Sequence, residues 1–426
     1  SICHCICHVF HAGFNDLFTT FVFYYFEMSA VTLHTTNFPL YTVNVLDKDH
    51  FVVAGGGGSA KTGVPNALQV FELEYGEKEI KAKKVHEHDS ERKAIMNCAV
   101  HPKEKSLAVG KENECHLLLV DIKKKQQSKT SKKKKQNETT EGEYKVSTLC
   151  YEVTVKCTDE NDEGDFQKVV RFTSDGEHIV SGGSNGHVSI LKYPTLKCLH
   201  NFKAHDTDVD DLDIHPNGKR FVTVSRDTKA YVWKLEDGKR EFELFYTGPN
   251  GDESEDAFRI RACRFLTSEK GEVFLYTIQV PSKFDRHKPL PSLIVKWDCS
   301  KWIPKLSRTA GLEPLTQMAV SDHGQYLGVG TASGSVAVYI AWNLSPLVSI
   351  PEVHNIFVTG LAFLPPSESL EQANKEFGLL TISADNTCRL VTLTNRREFS
   401  IWWLLIGSIL LLYLTFLALS FFGIDL

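Results

Sequence analysis

Short alternating apolar segments recur along most of this chain, separated by residues that favour turns. Three of these units resemble one another: VVRFTSDGEHIVSGGSNGHVSILKY from Val169, LDIHPNGKRFVTVSRDTKAYVWKL from Leu212 and MAVSDHGQYLGVGTASGSVAVYI from Met318. Each unit predicts three strands joined by turns. Seven such units are centred near residues 55, 105, 180, 220, 275, 325 and 375, a spacing of about 40 to 45 residues. This period constrains the chain to a ring or stack of similar sheets.

The repeat predicts an all-β fold, a seven-bladed WD40-like β-propeller over residues 28–397. A propeller leaves only short, protected strand edges, which keeps many strands soluble. A pair of two-sheet β-sandwiches is the alternative, but it does not explain the period. No convincing helical stretch appears before the C-terminal tail.

The unit at 205–234 has the most specific sequence signature and resembles a WD40 repeat. His205 lies near its start, Ser225 at a strand end, Asp227 in the following turn and Trp233 on the next strand. In the WD40 family these four residues form a hydrogen-bonded network, so the resemblance implies a structural tetrad here. Two other units keep parts of the signature: Trp297 and Asp298 in one, and His354, Ser383 and Asp385 in the last.

A glycine-dense loop, GGGGSAKTGVPN at Gly55 to Asn66, superficially matches a phosphate-binding loop. Such a loop needs glycine before its Lys-Thr pair and a helix directly after it. Here Ala60 precedes Lys61, Pro65 interrupts the first turn, and the following residues alternate like a strand. We therefore predict that the loop joins strand to strand and engages another protein instead of hydrolysing a nucleotide.

The C-terminal segment Ile401 to Gly423 contains no charged residue. At about 1.5 Å per residue it would cover roughly 35 Å as a helix, enough for a ~30 Å hydrocarbon core, so the sequence predicts one transmembrane α-helix over 401–423. Arg396 and Arg397 precede it, so we expect the preceding domain to face the cytosol and residues 424–426 to form a lumenal stub. A buried core helix is the alternative.

Two stretches do not fit the repeat. The basic run Lys123 to Lys135 predicts a disordered insertion over 123–146, most simply a solvated one. Contact with anionic lipid head groups is the better functional alternative, and a nuclear-import-like patch is the other.

The leader at 1–27 is expected to be non-native or disordered, because Met28 resembles a natural start. A signal peptide is the alternative, and it would reverse the topology. The crowded Cys and His residues of the leader can hardly reach one tetrahedral metal site together, so no metal site is predicted.

Charge also restricts function. The formal net charge of −5 argues against general nucleic-acid affinity of the body. A cluster of aspartates, Asp206, Asp208, Asp210, Asp211 and Asp213, alternates along a strand and its turn, which predicts a solvated edge. No constellation for covalent catalysis is present.

Taken together, several segments resemble the family of membrane-anchored WD-repeat guanine-nucleotide exchange factors that start COPII coat assembly. These segments are FPLYTVNVL from Phe38, the glycine-rich loop, QKVVRF from Gln167, FKAHD from Phe202, VSRDTKAYVW from Val224, ACRF from Ala262, GSVAVYIA from Gly334 and the C-terminal segment. The resemblance runs from about Phe38 to the C-terminus and includes the order of the segments.

The resemblance implies a non-enzymatic exchange factor that is anchored in the endoplasmic reticulum membrane and releases GDP from a small Sar-type GTPase. The implied exchange loop consists of Gly55, Gly56, Gly57, Gly58, Ser59, Ala60, Lys61, Thr62, Gly63, Val64, Pro65 and Asn66. No cofactor is expected, apart from the potassium ion that stabilises this loop in some fungal relatives. Because Lys61 lies within the loop, its ammonium group is a candidate to replace that ion.

Two alternatives to the exchange factor stay open. A non-catalytic scaffold would also use a propeller, because propellers mostly present binding surfaces. A DNA-binding transcriptional regulator has only the basic run at Lys123 as local support.

Overall fold

The computed structural model describes residues 28–60, 63–76, 79–124, 144–156, 165–246, 248, 257–283, 287, 289–395 and 401–421. Within strands and helices, the side chains at 121–124, 144–156, 401–404 and 417–421 are not described. The leader, most of the basic insertion and the stub after the tail therefore lie outside the described residues, as do Lys61 and Thr62.

The described strands form seven four-stranded antiparallel sheets. The first three blades are β2 (Leu40–Val45), β3 (His50–Gly56), β4 (Asn66–Tyr75) and β5 (Ile80–Asp89); β6 (Ile95–Val100), β7 (Ser106–Lys111), β8 (Glu114–Lys124) and β9 (Tyr144–Lys156); and β10 (Gln167–Phe172), β11 (His178–Gly183), β12 (His187–Lys192) and β13 (Lys197–Lys203). Each blade is a meander of consecutive strands.

Blades four to six repeat this meander. Their strands are β14 (Val209–Ile214), β15 (Arg220–Ser225), β16 (Ala230–Lys234) and β17 (Arg240–Glu243); β18 (Phe258–Thr267), β19 (Val273–Pro281), β20 (Leu293–Asp298) and β21 (Ile303–Thr309); and β22 (Leu315–Val320), β23 (Tyr326–Thr331), β24 (Val336–Ile340) and β25 (Ser345–Ile350). The blade count and the spacing confirm the predicted seven-bladed propeller.

The seventh blade joins the two ends of the propeller chain. It contains β26 (Val358–Phe363), β27 (Lys375–Ser383) and β28 (Thr387–Thr394), and its fourth strand is β1 (Met28–Thr35). β1 pairs antiparallel with β28, from Met28 opposite Leu393 to Thr35 opposite Thr387. The ring is therefore closed by main-chain hydrogen bonds between residues more than 350 positions apart.

The core consists of apolar layers between adjacent blades. At the closure, Phe51 and Phe71 of blade one stack with ring centroids 5.1 Å apart. Both are fully buried and share one cluster with Leu380 and Leu390 of blade seven. Because each blade contributes apolar side chains to two such layers, the ring of strands becomes one continuous core.

Two details differ from the sequence-based prediction. A five-residue helix, α1 (Glu368–Gln372), lies between β26 and β27 and buries Leu370 in the closure cluster. The predicted disordered insertion over 123–146 is too wide, because Lys123 and Lys124 belong to β8 and residues 144–146 belong to β9. The long hairpin of blade two continues its ladder into the basic run, which charge composition alone does not reveal.

The tail forms a second helix, α2 (Ile401–Phe421). Among the residues that the structure describes, no helix is long and apolar enough to cross a membrane. The predicted span over 401–423 therefore has no support from the structure and stays a prediction.

Candidate functional site

The glycine-rich segment forms the connection between β3 and β4, the second and third strands of blade one. It joins strand to strand, as predicted. Its boundaries differ from the predicted exchange loop, because Gly55 and Gly56 belong to β3 and Asn66 begins β4, and all three residues are buried. The connecting loop is therefore 57–65, and its Lys61 and Thr62 lie outside the described residues.

Gly55 is required by close backbone packing. A Cβ atom on Gly55 would collide with the carbonyl oxygen of Pro39. The same carbonyl accepts a hydrogen bond from the Gly56 N–H at 3.1 Å. Gly55 thus lets β3 pass against the segment that enters β2, whereas a Cβ on Gly56, whose φ is +146°, would collide with Asn66 at the base of the loop.

The side chain of Asn66 fastens the base of the loop. Its Oδ1 accepts a hydrogen bond from the Gly58 N–H at 2.8 Å. Its Nδ2 donates to the carbonyl oxygens of Gly58 at 3.2 Å and Glu91 at 3.0 Å. Because Asn66 is buried, this amide ties both ends of the loop to the neighbouring connection between β5 and β6.

The described part of the loop tip is accessible. Ser59, Ala60, Gly63 and Pro65 are exposed, whereas Val64 is half-buried against the closure cluster. Gly63 has φ of +78° with open space where a Cβ would be. The loop is thus rigid at its base and open at its tip, an arrangement suited to reaching into a partner.

The tetrad residues of blade four meet through a residue that the sequence reading missed. The Trp233 indole N–H donates to the Thr223 hydroxyl at 2.8 Å, and that hydroxyl lies 2.8 Å from His205 Nε2. His205 Nδ1 lies 3.0 Å from a carboxylate oxygen of Asp227. This chain fits an imidazole with its proton on Nδ1, since Thr223 donates to Nε2. Thr223 lies on β15, opposite Tyr231 and beside Trp233. This position next to the tryptophan is the sequence signal that could have identified Thr223.

Ser225 has a different place. It lies outside the chain from Trp233 to Asp227, and its hydroxyl accepts a hydrogen bond from the Asp227 N–H at 3.2 Å. Burial alone would raise the pKa of Asp227, but the hydrogen bonds from His205 and from backbone N–H groups hold this pKa below its ordinary value. Ser225 and Asp227 thus shape the turn that positions His205.

Blades five and seven keep parts of the same network. In blade seven, His354 Nε2 lies 2.9 Å from the Thr381 hydroxyl and its Nδ1 lies 3.3 Å from Asp385. In blade five, the Trp297 indole N–H donates to the Thr277 hydroxyl at 2.8 Å. A buried threonine on the second strand is therefore the shared centre of all three networks.

The aspartate cluster is not a solvated edge, and that prediction is wrong for β14. Asp210 and Asp211 are buried. A carboxylate oxygen of Asp210 accepts from Lys168 of β10 at 2.7 Å, and its other oxygen accepts from Arg259 of β18 at 2.7 Å. β14 is the innermost strand of its blade and faces the central channel. The cations that bind Asp210 lie about 40 to 50 positions away in sequence, so the alternation of residues along β14 could not reveal them.

Metal ligands are sparse among the described residues. Asp175, Glu177 and His178 have ligand atoms within 4.8 Å of one another. Asp175 already accepts from the Thr173 hydroxyl at 2.6 Å and the Glu177 N–H at 2.8 Å, so this group is a hydrogen-bonded surface turn. At the glycine-rich loop, the Gly58 carbonyl is likewise occupied by the Asn66 amide.

Comparison with known proteins places the chain among exchange factors. A family model described as "WD domain, G-beta repeat" matches residues 196–234. The "Guanine nucleotide-exchange factor SEC12" of Rattus norvegicus is 34% identical over 411 residues, covering 92% of this chain and 97% of that protein. The Mus musculus protein of the same name matches equally, and "SEC12-like protein 1" of Arabidopsis thaliana is 29% identical over 55% of this chain and 53% of its own length.

Replacing Thr223 by valine is expected to lower the free energy of unfolding by about 1–3 kcal/mol, because it strands the buried Trp233 N–H and His205 Nε2 without changing shape. Chemical denaturation of the full chain measures this. Thr195→Val, at an exposed turn, is the control and should change stability by less than about 0.5 kcal/mol. Equal effects would contradict the central role of Thr223.

Proposed function

Because this chain belongs to the family of SEC12 guanine nucleotide-exchange factors, we propose that it promotes release of GDP from a small Sar-type GTPase at the endoplasmic reticulum membrane and thereby starts COPII coat assembly. The observation that carries this proposal is the 34% identity over 97% of the rat relative. A contiguous match of that extent spans the glycine-rich loop and nearly all of the propeller strands.

Exchange needs no covalent chemistry from this chain. A GTPase holds GDP largely through contacts to the phosphates and Mg²⁺. A partner that binds the nucleotide-free form more tightly must lower the affinity for GDP by the same coupling free energy. The chain therefore has to present a rigid surface that fits the nucleotide-free GTPase better than the GDP-bound one.

The loop 57–65 is the proposed exchange element. Its base is fixed by the buried Asn66 side chain, and its described tip is exposed. A preorganised loop loses little conformational entropy when it enters a partner, so more of the binding free energy is left to distort the nucleotide site. Gly55, Gly56 and Asn66 support the loop as part of the strands.

The propeller face that carries this loop is the proposed docking face for the GTPase. In a meander blade, the second connection and the connection to the next blade lie on the same face. Leu312, between β21 and β22, is 62% exposed, and Ile356 and Phe357, between β25 and β26, are 40% and 46% exposed. Exposed apolar groups on the same face as the loop are suited to burial against a partner.

The opposite face is proposed to point toward the membrane. β8 ends at Lys124 and β28 ends at Thr394, and both are third strands of their blades, so both end on the face opposite the loop. The basic run begins at the end of β8 and continues past it, and the uncharged segment Ile401 to Gly423 follows β28. We propose that this segment is a single-pass anchor and that the lysines contact anionic lipid, at about 1 kcal/mol each near the surface.

Changing Lys132, Lys133, Lys134 and Lys135 to glutamine is therefore expected to weaken binding of the full chain to anionic liposomes and to leave binding to neutral liposomes unchanged, as flotation would measure. An equal effect on both kinds of liposome would contradict the lipid contact.

Shortening the loop is expected to abolish exchange while leaving the propeller folded. The design replaces 57–65 by Ser-Asn-Gly, the turn that joins the equivalent strands β11 and β12. GDP release from the GTPase, followed by fluorescence with the full chain in liposomes, should fall to the uncatalysed rate.

Asn66→Ala should slow release about tenfold, since a loss of about 1.4 kcal/mol from the competent loop conformation is a factor of ten. Asn185→Ala removes a comparable turn bond, from the His187 N–H, and should leave the rate unchanged. Full activity of the shortened variant would favour the scaffold instead.

The loop is proposed to work without a bound potassium ion. The Asn66 amide already occupies the Gly58 and Glu91 carbonyls, and Lys61 carries a cation of its own within the loop. Lys61→Ala should slow GDP release, and added potassium should restore it, because a free cation then replaces the ammonium. Sodium at the same ionic strength is the control. An unchanged rate in Lys61→Ala would contradict this proposal.

A further inference from the structure

Each of the seven innermost strands has a β-bulge near its first residues. In β10 the register passes from Gln167 to Val169, in β14 from Val209 to Asp211 and in β18 from Ile260 to Ala262. A bulge leaves one extra residue unpaired in the ladder and re-aims its side chain. The seven extra residues form a ring around the channel, in blade order Tyr41, Met96, Lys168, Asp210, Arg261, Thr316 and Thr359.

Three consecutive members of this ring are charged, and two of them are cations. Asp210 is already saturated, because one oxygen accepts from Lys168 at 2.7 Å and lies 3.3 Å from Arg226, and the other accepts from Arg259 at 2.7 Å. Arg261 approaches Asp210 only to 3.8 Å, beyond hydrogen-bonding distance. Among the described residues, no hydrogen bond from the Arg261 side chain is seen, so its donors face the channel.

The channel as a whole carries surplus positive charge. On the described innermost strands, the cations are Lys168, Arg171, Arg259, Arg261 and Arg264, and the anions are Asp210, Asp211 and Asp213. Five cations against three anions leave +2. The loop residues Arg226 and Asp208 at the same mouth add one charge of each sign, so the surplus stays +2, and Asp208 also accepts a hydrogen bond from Lys168 at 2.9 Å.

The surplus charge has a visible electrostatic consequence. Burial is the largest cause that holds the pKa of Arg259 below its ordinary value. Repulsion from Arg261 and Arg226 lowers this pKa further, whereas attraction to Asp210 opposes the shift. Deeper in the channel, the pKa of Arg171 is lowered by burial and by the neighbouring Arg264. The repulsion between these cations favours an added anion, although the pKa of Arg264, which burial alone would lower, is raised by Asp211 and Asp213.

The channel has the size for a small ligand. Lys168, Arg171, Arg261 and Arg264 all line a cavity of 420 Å³. The Lys168 and Arg264 side chains are only 13% and 16% exposed. Cations recessed to this extent are poorly reached by the acidic surface of a folded protein, whereas a small molecule fits.

We propose that the central channel binds a soluble polyanion that carries phosphate groups, with the Arg261 guanidinium as its principal contact. The planar fork of arginine donates two parallel hydrogen bonds to a phosphate. Lys168 and Arg264 add charge on either side, from blade three and from a deeper level of blade five. This site is separate from the loop 57–65 and does not depend on the exchange activity.

Isothermal titration calorimetry of the full chain in detergent micelles, with pyrophosphate and with inositol hexakisphosphate at constant ionic strength, tests the site. Arg261→Gln should weaken binding at least tenfold without changing the melting temperature, because Asp210 keeps its other three cations. Arg261→Lys should bind with intermediate affinity, since it keeps the charge and loses the fork.

The basic run is the main competing site for a polyanion, so the control changes Lys132, Lys133, Lys134 and Lys135 to glutamine. That variant should keep the wild-type affinity. The proposal is overturned if the wild-type chain binds neither probe, if Arg261→Gln and Arg261→Lys both bind as wild type does, or if only the lysine variant loses binding. It is also overturned if the chain binds only vesicles that contain phosphatidylinositol 4,5-bisphosphate and neither soluble probe.

Discussion

The pairing of β1 with β28 is the interaction on which the rest of the structure depends. It brings the first and last strands of the propeller into one sheet, from Met28 opposite Leu393 to Thr35 opposite Thr387. Without it, blade seven would have an exposed edge strand, and the apolar layer around Phe51 and Phe71 would lose one wall. The ring also fixes blade one against blade seven, because the Thr359 hydroxyl donates to the Leu40 carbonyl at 2.7 Å.

The same closure supports the loop 57–65. The segment that leaves β1 passes Pro39 over Gly55, where only glycine leaves room, and Val64 packs against the closure cluster. The buried Asn66 amide then holds the loop to the next blade connection. The loop 57–65 thus rests on residues that connect blade one to the closure, and its described tip is exposed.

The fold was largely predictable from sequence, and the site only in part. The period of the alternating segments fixes the number of blades, and Pro65 with the alternation after it shows that no helix follows the loop. The first and last residues of the loop were harder to predict from sequence, because Gly55 is buried against Pro39, which belongs to the connection between β1 and β2. The roles of Thr223 and Asp210 could not be predicted for the same reason. The groups that bind these two residues come from other strands or other blades, and such contacts leave no local sequence pattern.

If the loop 57–65 is the exchange element, it must make this chain prefer the nucleotide-free GTPase. The most direct test measures the affinity of the full chain for the nucleotide-free and the GDP-bound GTPase, before and after the loop is replaced by Ser-Asn-Gly. By linkage, the ratio of the two affinities equals the factor by which the chain weakens GDP binding. We expect a large preference for the nucleotide-free form that disappears with the loop. A ratio near one for the intact chain, or an unchanged ratio without the loop, would contradict it.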